Sequence, residues 1–410
     1  MGSATVDIAT IETVFTEHYG RAVASLIRAF GDVDIAEDAV QDAFTTAIRR
    51  WPVEGLPPSP PGWIITTARN RAVDRLRRDA AGRDKYAQAA LLHERDEPVE
   101  ADAVYDDRLR LIFTCCHPAL ARPTQVALTL RLLGGLSTTE LAHTFLVPES
   151  TMAQRITRAK NKIRDARIPY RVPSAAELPA RLNSALAVLY LIFTEGHTAA
   201  SGENLVRADL CTEGIRLARV LAEILPDEPE VWGLLALMLL TESRRTTRTT
   251  SDGSLIPLPK QDRTLWNRTL IEEGQALVRK CLHRNQPGPY QLQAAINAVH
   301  ADATNPAETD WQQILHLYDQ LETLSPSPII SLNRAVALAE VHGPQSALDA
   351  VDALNLQQYY LFHAIRADLL RRLGKSAEAA QAYDAAITRT HNQAERNFLL
   401  AQRDAVASPT

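Results

Sequence analysis

Apolar residues recur at three- and four-residue spacing along most of the 410-residue chain. Ile11, Val14, Phe15, Tyr19, Val23, Leu26 and Ile27 trace one such stripe, the face that an amphipathic helix turns to a core. Runs of alternating β type are nearly absent, so the pattern predicts an all-α protein. Breakers divide it. Gly31-Asp32 and the proline-rich stretch 51–62 bound the first helices. Residues 81–104, alanine-rich and then acidic, read as a partly helical linker. A helical block follows from Tyr105 to about Ala166, and residues 167–173 form a second joint. Four hundred residues exceed one comfortable core, and about 100–200 per domain implies several. The pattern places them at 8–80, 105–168 and 174–405, with 81–104 as the linker.

The last region carries a repeat signal. Gly374 can close a helical hairpin with Ala367 before it and Ala379, Tyr383 and Ala386 after it. Small residues let antiparallel helices approach, and the aromatic fills the gap to the next hairpin. The spacing resembles a degenerate tetratricopeptide array. Weaker matches surround Pro226, with Trp232, Leu235, Ala236 and Leu239 in place, and Gly343. Residues 244–260, rich in Thr, Ser and Pro, interrupt the array and read as a long loop.

Composition changes the picture less than charge distribution does. With 46% hydrophobic and 23% charged residues, disorder and collagen-like repeats are excluded. Four scattered cysteines make no disulfide framework and fit a reducing cytoplasm. No apolar run is long enough for a membrane span, and no signal peptide is readable at the N-terminus. The net charge of −5 conceals segregation: residues 63–85 hold seven bases and three acids, residues 149–167 six and two, and residues 93–107 one base and seven acids. Two basic patches flank an acidic strap, a distribution that suits nucleic-acid contact.

Three segments carry candidate chemistry. In LSTTELAHTFLVPESTMAQRITRAKNKIR, residues 136–164, Ser137 or Thr138 can cap a short helix with Glu140. Val147-Pro148 turns the chain into a second helix with Met152, Ile156, Ala159 and Ile163 inward. Ser150, Thr151, Gln154, Arg155, Arg158 and Lys160 lie on its other faces. This is a helix-turn-helix, in which polar donors reach base edges and cations neutralise phosphates. In WIITTARNRAVDRLRR, residues 63–78, an aromatic, Asn70 and several arginines suit single-stranded DNA, although Trp63 also fits a core. Glu54 and the prolines after it form a rigid loop that could wall a pocket. In DIAEDAVQDAFTTAIRRW, residues 34–51, Asp38, Gln41, Asp42 and Thr45 form a polar stripe opposite Ala39, Val40, Ala43, Phe44 and Ala47. That stripe is either a solvated face or a dock for a helical partner.

The order of these segments resembles a bacterial RNA polymerase sigma factor of the extracytoplasmic-function type, over residues 8 to about 168. AEDAVQDAF resembles the clamp-binding helix of region two, WIITTARNRAVDRLRR its minus-ten helix, and LSTTELAHTFLVPESTMAQRITRAK region four. TEGHTAASG, LLALMLL, PKQDRTLW, GPYQLQAAINAVHA, TDWQQI and LNRAVALAE resemble the subfamily with a tetratricopeptide-like C-terminal extension. RTTRTT at 245–250 departs from its more alanine-rich pattern. The resemblance implies a cytoplasmic, non-enzymatic factor that binds core RNA polymerase and promoter DNA without cofactor. Asp38, Gln41, Asp42 and Phe44 would dock, or support docking, on polymerase. Trp63, Asn70, Arg71, Arg75, Arg77 and Arg78 would serve the minus-ten element. Thr138, Ser150, Thr151, Gln154, Arg155 and Arg158 would serve the minus-thirty-five element. The acidic residues 96–107 would either thread the RNA-exit path or remain a solvated tether. The extension would control activity, either by clamping the DNA-binding domains in a closed, inactive form or by holding them productively or touching polymerase, and a protein or ligand could bind it.

Two other classes compete. A helix-turn-helix regulator acting without polymerase needs only residues 149–164. An enzyme could be imagined around Glu195, His197 and Asp209, or Asp252 and Asp262, but the chain has no P-loop, dinucleotide turn, H-E-x-x-H or nucleophile elbow. No catalytic residue is therefore assigned. Cys115-Cys116-His117 lacks the usual spacing of zinc ligands, so no metal is expected.

Overall fold

The computed structural model describes residues 7–80, 101–145, 147–174, 176–199, 201–202, 205–250 and 253–407. Among them the regular structure is helical apart from one two-residue strand pair and an isolated bridge. Packing divides the chain into two compact units, Met1–Leu189 and Tyr190–Thr410.

The first unit opens with α1 (Ile8–Phe30), α2 (Val33–Glu54) and α3 (Pro60–Ala80), which pack on one another. Local chemistry sets their ends. Asp7 accepts a hydrogen bond from the Thr10 amide at 2.8 Å, and Asp32 accepts from Asp34 and Ile35 at 2.8 and 3.0 Å. These carboxylates satisfy amides that a helix start leaves unpaired. Gly31 ends α1 at φ 70°, a conformation that costs glycine nothing. Pro60 and Pro61 open α3, where their missing N–H groups are not needed. Val23, Leu26, Val40, Ala43, Ile64 and Ala68 are buried.

Next come α4 (Ala101–Cys115), α5 (Arg122–Leu132), α6 (Thr138–Thr144) and α7 (Glu149–Asp165). They bury Leu111, Ile112, Phe113, Leu128, Leu130 and Met152. Cys115 and Cys116 are also buried, and burial pushes the Cys116 thiol up to about 12. The first half of α8 (Leu178–His197) belongs to this unit. Arg122 donates to the Ser184 carbonyl at 3.0 Å, and Arg181 to that of Phe113 at 2.5 Å. The packing unit thus extends beyond Ile168, where the sequence pattern ends the second DNA-binding segment.

Helices α1 and α4 are joined through Asp107, which is 0% exposed and lies 3.0 Å from Arg28 Nε. The Tyr170 hydroxyl sits between the carbonyls of Ala24 and Asp107, at 2.8 and 3.1 Å. This corrects the expectation for the acidic strap at its C-terminal end. Asp107 is a buried structural acid within a helix, unable to thread a channel or act as a solvated tether. Residues 81–100 of the linker lie outside the described residues.

The second unit continues as α9 (Ala208–Ile224), α10 (Pro229–Glu242), α11 (Arg268–Arg284), α12 (Pro289–Asp302), α13 (Trp311–Leu324), α14 (Pro328–His342), α15 (Pro344–Asp352), α16 (Tyr360–Arg372), α17 (Ser376–Ile387) and α18 (Gln393–Ala407). Each of these helices packs on the next. Gly374, at φ 73°, turns α16 into α17, and Ala367, Ala379, Tyr383 and Ala386 are buried where the hairpin closes. A parallel pair, β1 (Ser201–Gly202) with β2 (His391–Asn392), joins the beginning of the array to its end. Asn392 reinforces the closure by donating to the Ala199 carbonyl at 3.1 Å. The array therefore curls until its ends meet. The segment 244–260 is more ordered than a loop reading implies. It holds two short 3-10 turns and the Thr249–Leu255 bridge, and it buries Thr247 and Arg248.

Burial, then the charges of Arg244 and Arg263, push His300 down to about 3. It is neutral in the folded protein at pH 7. Unfolded histidine titrates near 6.5, so below that pH the unfolded chain binds more protons and stability falls as pH drops toward 3. By pH 5 the loss reaches about 2 kcal/mol. We expect calorimetry at pH 7 and pH 5 to show this loss in the second unit, and His300→Gln to shrink it by that amount. His197, also held neutral by burial, should keep the remainder. An unchanged pH dependence in the variant rules this account out.

Candidate nucleic-acid interface

Helix α2 presents the polar stripe that its spacing predicts: Asp38, Gln41, Asp42 and Thr45 are exposed, with Ala39, Val40, Ala43 and Ala47 beneath. Phe44 is 3% exposed. Its ring lies 4.8 Å from Phe15 and 6.4 Å from Tyr19. Phe44 therefore holds α2 on α1 and cannot itself touch a partner. Asp38 is ion-paired with Arg75 of α3, so a residue assigned to polymerase and one assigned to DNA meet. The pair is half-exposed and adds about 0–1 kcal/mol to stability.

Beside that pair is a cavity of about 300 Å³ lined by Ala39, Asp42, Arg71, Arg75 and Arg78. Three guanidiniums facing one concavity can grip a phosphodiester path bidentately. Asn70 and Arg77 are exposed on the same helix. Trp63 is half-buried, edge-on to Trp51 at 5.3 Å. Trp51 is itself fully buried, so Trp63 is anchored by the core and offers only part of its ring outward.

In the second segment the cap is Ser137. Its amide donates to Glu140 Oε2 at 2.7 Å, and the Glu140 amide donates to Ser137 Oγ at 3.1 Å, a reciprocal capping box. Met152, Ile156, Ala159 and Ile163 of α7 are buried as their spacing predicts. Arg155 stacks over Phe145 at 5.6 Å. Thr151, Gln154, Arg155, Arg158 and Lys162 line a groove of about 370 Å³ against Leu120, Ala121 and Thr124. Ser150 is exposed in the first turn of α7, and Thr138 is half-buried at the start of α6. Lys160 does not lie on the exposed basic face. It turns inward to α2, and Lys162 takes the outward place.

Residues 14–82 match Sigma-70 region 2, and residues 110–163 match Sigma-70, region 4. Residues 181–282 match a family of unknown function, DUF6596. An uncharacterized protein of Rhizobium meliloti (strain 1021) is 41% identical, covering 98% of this chain and 97% of its own length. The probable ECF RNA polymerase sigma factor SigI of Mycobacterium tuberculosis (strain ATCC 25618 / H37Rv) is 28% identical over 198 residues, 45% of this chain and 68% of that protein.

Sigma-70 region 2 and region 4 are thus both matched within the first unit.

No solved structure matches the chain. The segments that match region 2 and region 4 are clasped together by a residue that pattern reading passed over. Glu37 of α2 is 2% exposed. It pairs with Arg131 of α5, and Lys160 of α7 reaches it at 2.8 Å while also holding Asp34 at 2.7 Å. Burial draws the Lys160 pKa down, but the Glu37 and Asp34 carboxylates outweigh it and leave Lys160 above its ordinary value. One signal existed in the sequence. Glu37 stands three residues before Val40 and seven before Phe44, on the apolar stripe, where an acid requires a buried partner.

Removing one member of such a buried cluster strands the other charges, at a cost of about 3 kcal/mol. Glu37→Gln should lower the urea-unfolding free energy of the first unit by about that much. Lys160→Met in the Glu37→Gln background should cost far less than it does alone. Additive losses from the two substitutions would show that Glu37 and Lys160 are not coupled.

Proposed function

We propose that this chain is a sigma factor of the sigma-70 family that binds core RNA polymerase and directs it to promoters, and that the second unit, a tetratricopeptide-like array, controls that activity. The observation that carries this reading is the pairing, within matched regions 2 and 4, of an arginine-lined cavity on α2 and α3 with a polar-basic groove on α7. Asp38, Gln41 and Asp42 dock on polymerase, and Phe44 supports them from beneath. The loop before α3, with Trp63, Asn70 and Arg71, captures an extruded minus-ten base. Unstacking a base costs a few kcal/mol, which a shaped pocket converts into sequence choice. Arg75, Arg77 and Arg78 hold the adjacent phosphates. Thr138, Ser150, Thr151, Gln154, Arg155 and Arg158 serve the minus-thirty-five major groove.

The clasp adds a requirement. The two promoter elements lie roughly 25 base pairs apart, about 80 Å at ~3.4 Å per pair. A compact unit of this length is about 40 Å across. Reading both elements at once therefore requires regions 2 and 4 to part, with Lys160 and Arg131 leaving Glu37. The closed unit is the resting form, and the open one initiates transcription.

Run-off transcription with purified core polymerase and a promoter library tests the reading. Start sites should share two spaced boxes. Arg155→Ala with Gln154→Ala should relax the upstream box, costing about 1–3 kcal/mol, or ten- to hundredfold. Asn70→Ala with Arg71→Ala should relax the downstream box alone. Duplex binding without any polymerase-dependent transcript would instead indicate a regulator that acts without polymerase.

Gly20 tests the closed form. A Cβ there would lie 2.7 Å from the Leu133 carbonyl oxygen, so alanine cannot keep α1 against the end of α5. Alanine is also the better helix former by about 1 kcal/mol. Gly20→Ala should raise transcript yield several-fold from a protein that remains folded. Unchanged or lower yield from folded protein would show that the closed form is not the resting one.

A further inference from the structure

The second unit holds a cluster of charge that its helical packing does not require. Three arginines converge on the inside of the curled array. Arg248 is 9% exposed and donates to the His197 carbonyl and to Thr198 Oγ1, the latter at 2.9 Å. Arg263 is 5% exposed and donates to the carbonyls of His300 and Ala303 at 2.8 and 2.9 Å and to Thr309 Oγ1 at 3.1 Å. Those two close the C-terminal ends of α8 and α12, where a cation is favoured. Arg244 has no such role. Its side chain donates to Asn297 Oδ1 at 3.0 Å, and among the described residues no carboxylate forms an ion pair with it. It remains partly accessible to solvent.

Asn297 and His300 sit one turn apart on α12, so Arg244 and Arg263 meet on that helix. Burial first, then the charges of Arg248 and Arg263, push the Arg244 pKa down, while Tyr318 acts against them. The nearby acids serve Arg248 and other partners rather than Arg244: Glu242 and Glu395 both support the charge of Arg248, Glu242 also pairs with Arg245 at 3.1 Å, and Glu395 bonds the hydroxyls of Tyr360 and Thr390. Three further buried atoms, His197 Nδ1, His300 Nδ1 and Arg263 Nε, have no hydrogen-bond partner. An uncompensated buried cation among like charges is costly. Unpaired buried polar atoms around it add to that cost, and an arriving anion would remove much of it. The planar guanidinium of Arg244 suits a carboxylate or phosphate, which it can hold through two parallel bonds.

We propose that the interior of the second unit binds a small oxyanion, a carboxylate or a phosphate ester, received by Arg244 between Arg248 and Arg263. Asn297 orients the guanidinium. The site is independent of the promoter-binding surfaces and of the function proposed for them.

Thermal unfolding of the full-length protein tests this at constant ionic strength, with chloride exchanged for inorganic phosphate or for citrate. The wild-type melting temperature should rise saturably by about 4 °C in at least one of the two anions. Arg244→Gln should abolish the rise, while melting no lower than wild type in chloride, since it removes repulsion and little bonding. A shift with phosphate alone identifies a phosphate ligand, and one with citrate alone a carboxylate. Equal shifts in the two proteins, or none in either, overturn the proposal, as does a marked loss of stability in Arg244→Gln. Arg244→Lys, which keeps the charge and loses the planar fork, provides a second arm. It should bind the effective anion at least tenfold more weakly in titration calorimetry, and unchanged affinity counts against the site.

Discussion

A carboxylate removed from water must find positive partners or give up its charge. Glu37 faces that constraint at the centre of the first unit, and Arg131 and Lys160 meet it from two other helices. The consequence is architectural. Helix α2 carries the stripe assigned to polymerase, and α7 carries the groove assigned to DNA, so one ion cluster fixes the placement of both surfaces. Because its strength is electrostatic and depends on dryness, the cluster holds firmly while closed and weakens steeply once water enters. A joint of that kind can act as a latch. Apolar contact alone would yield more gradually.

The surroundings of the latch point the same way. Gly20 permits backbone contact between α1 and Leu133, and Gly135, at φ 77°, lets Phe15 and Tyr19 approach the turn after α5. Asp107 and Arg28 tie α1 to α4. Small residues and buried ion pairs thus stand beside the apolar contacts of this junction. Both candidate DNA surfaces remain on the outside of the unit and are lined by arginines.

The second unit follows a different logic. Its helices pack mainly on neighbours in sequence, so most of its stability is local. The parallel pair between residues 201–202 and 391–392 adds a long-range closure. That closure brings the ends of the row together, whereas Arg244, Arg248, Arg263, His197 and His300 meet through contacts among the neighbouring elements α8 to α12.

The helices, the capping box at Ser137, the inward faces of α2 and α7 and the hairpin at Gly374 were all legible in the sequence. Each depends on residues within a turn or two of one another, and short-range periodicity and capping chemistry determine them. The outward stripe of Asp38, Gln41 and Asp42 followed from the same arithmetic. Other features depend on which distant residues meet, and tertiary structure alone decided them. Phe44 and Lys160 face inward because α1 and α2 cover them. Asp107 is a buried ion-pair acid because α1 brings Arg28 to it. Glu37 shares two cations contributed about 94 and 123 residues later in the chain. Local pattern carries no information about such meetings, since burial of a charge is worth its cost only when the partner's position is already fixed by the fold.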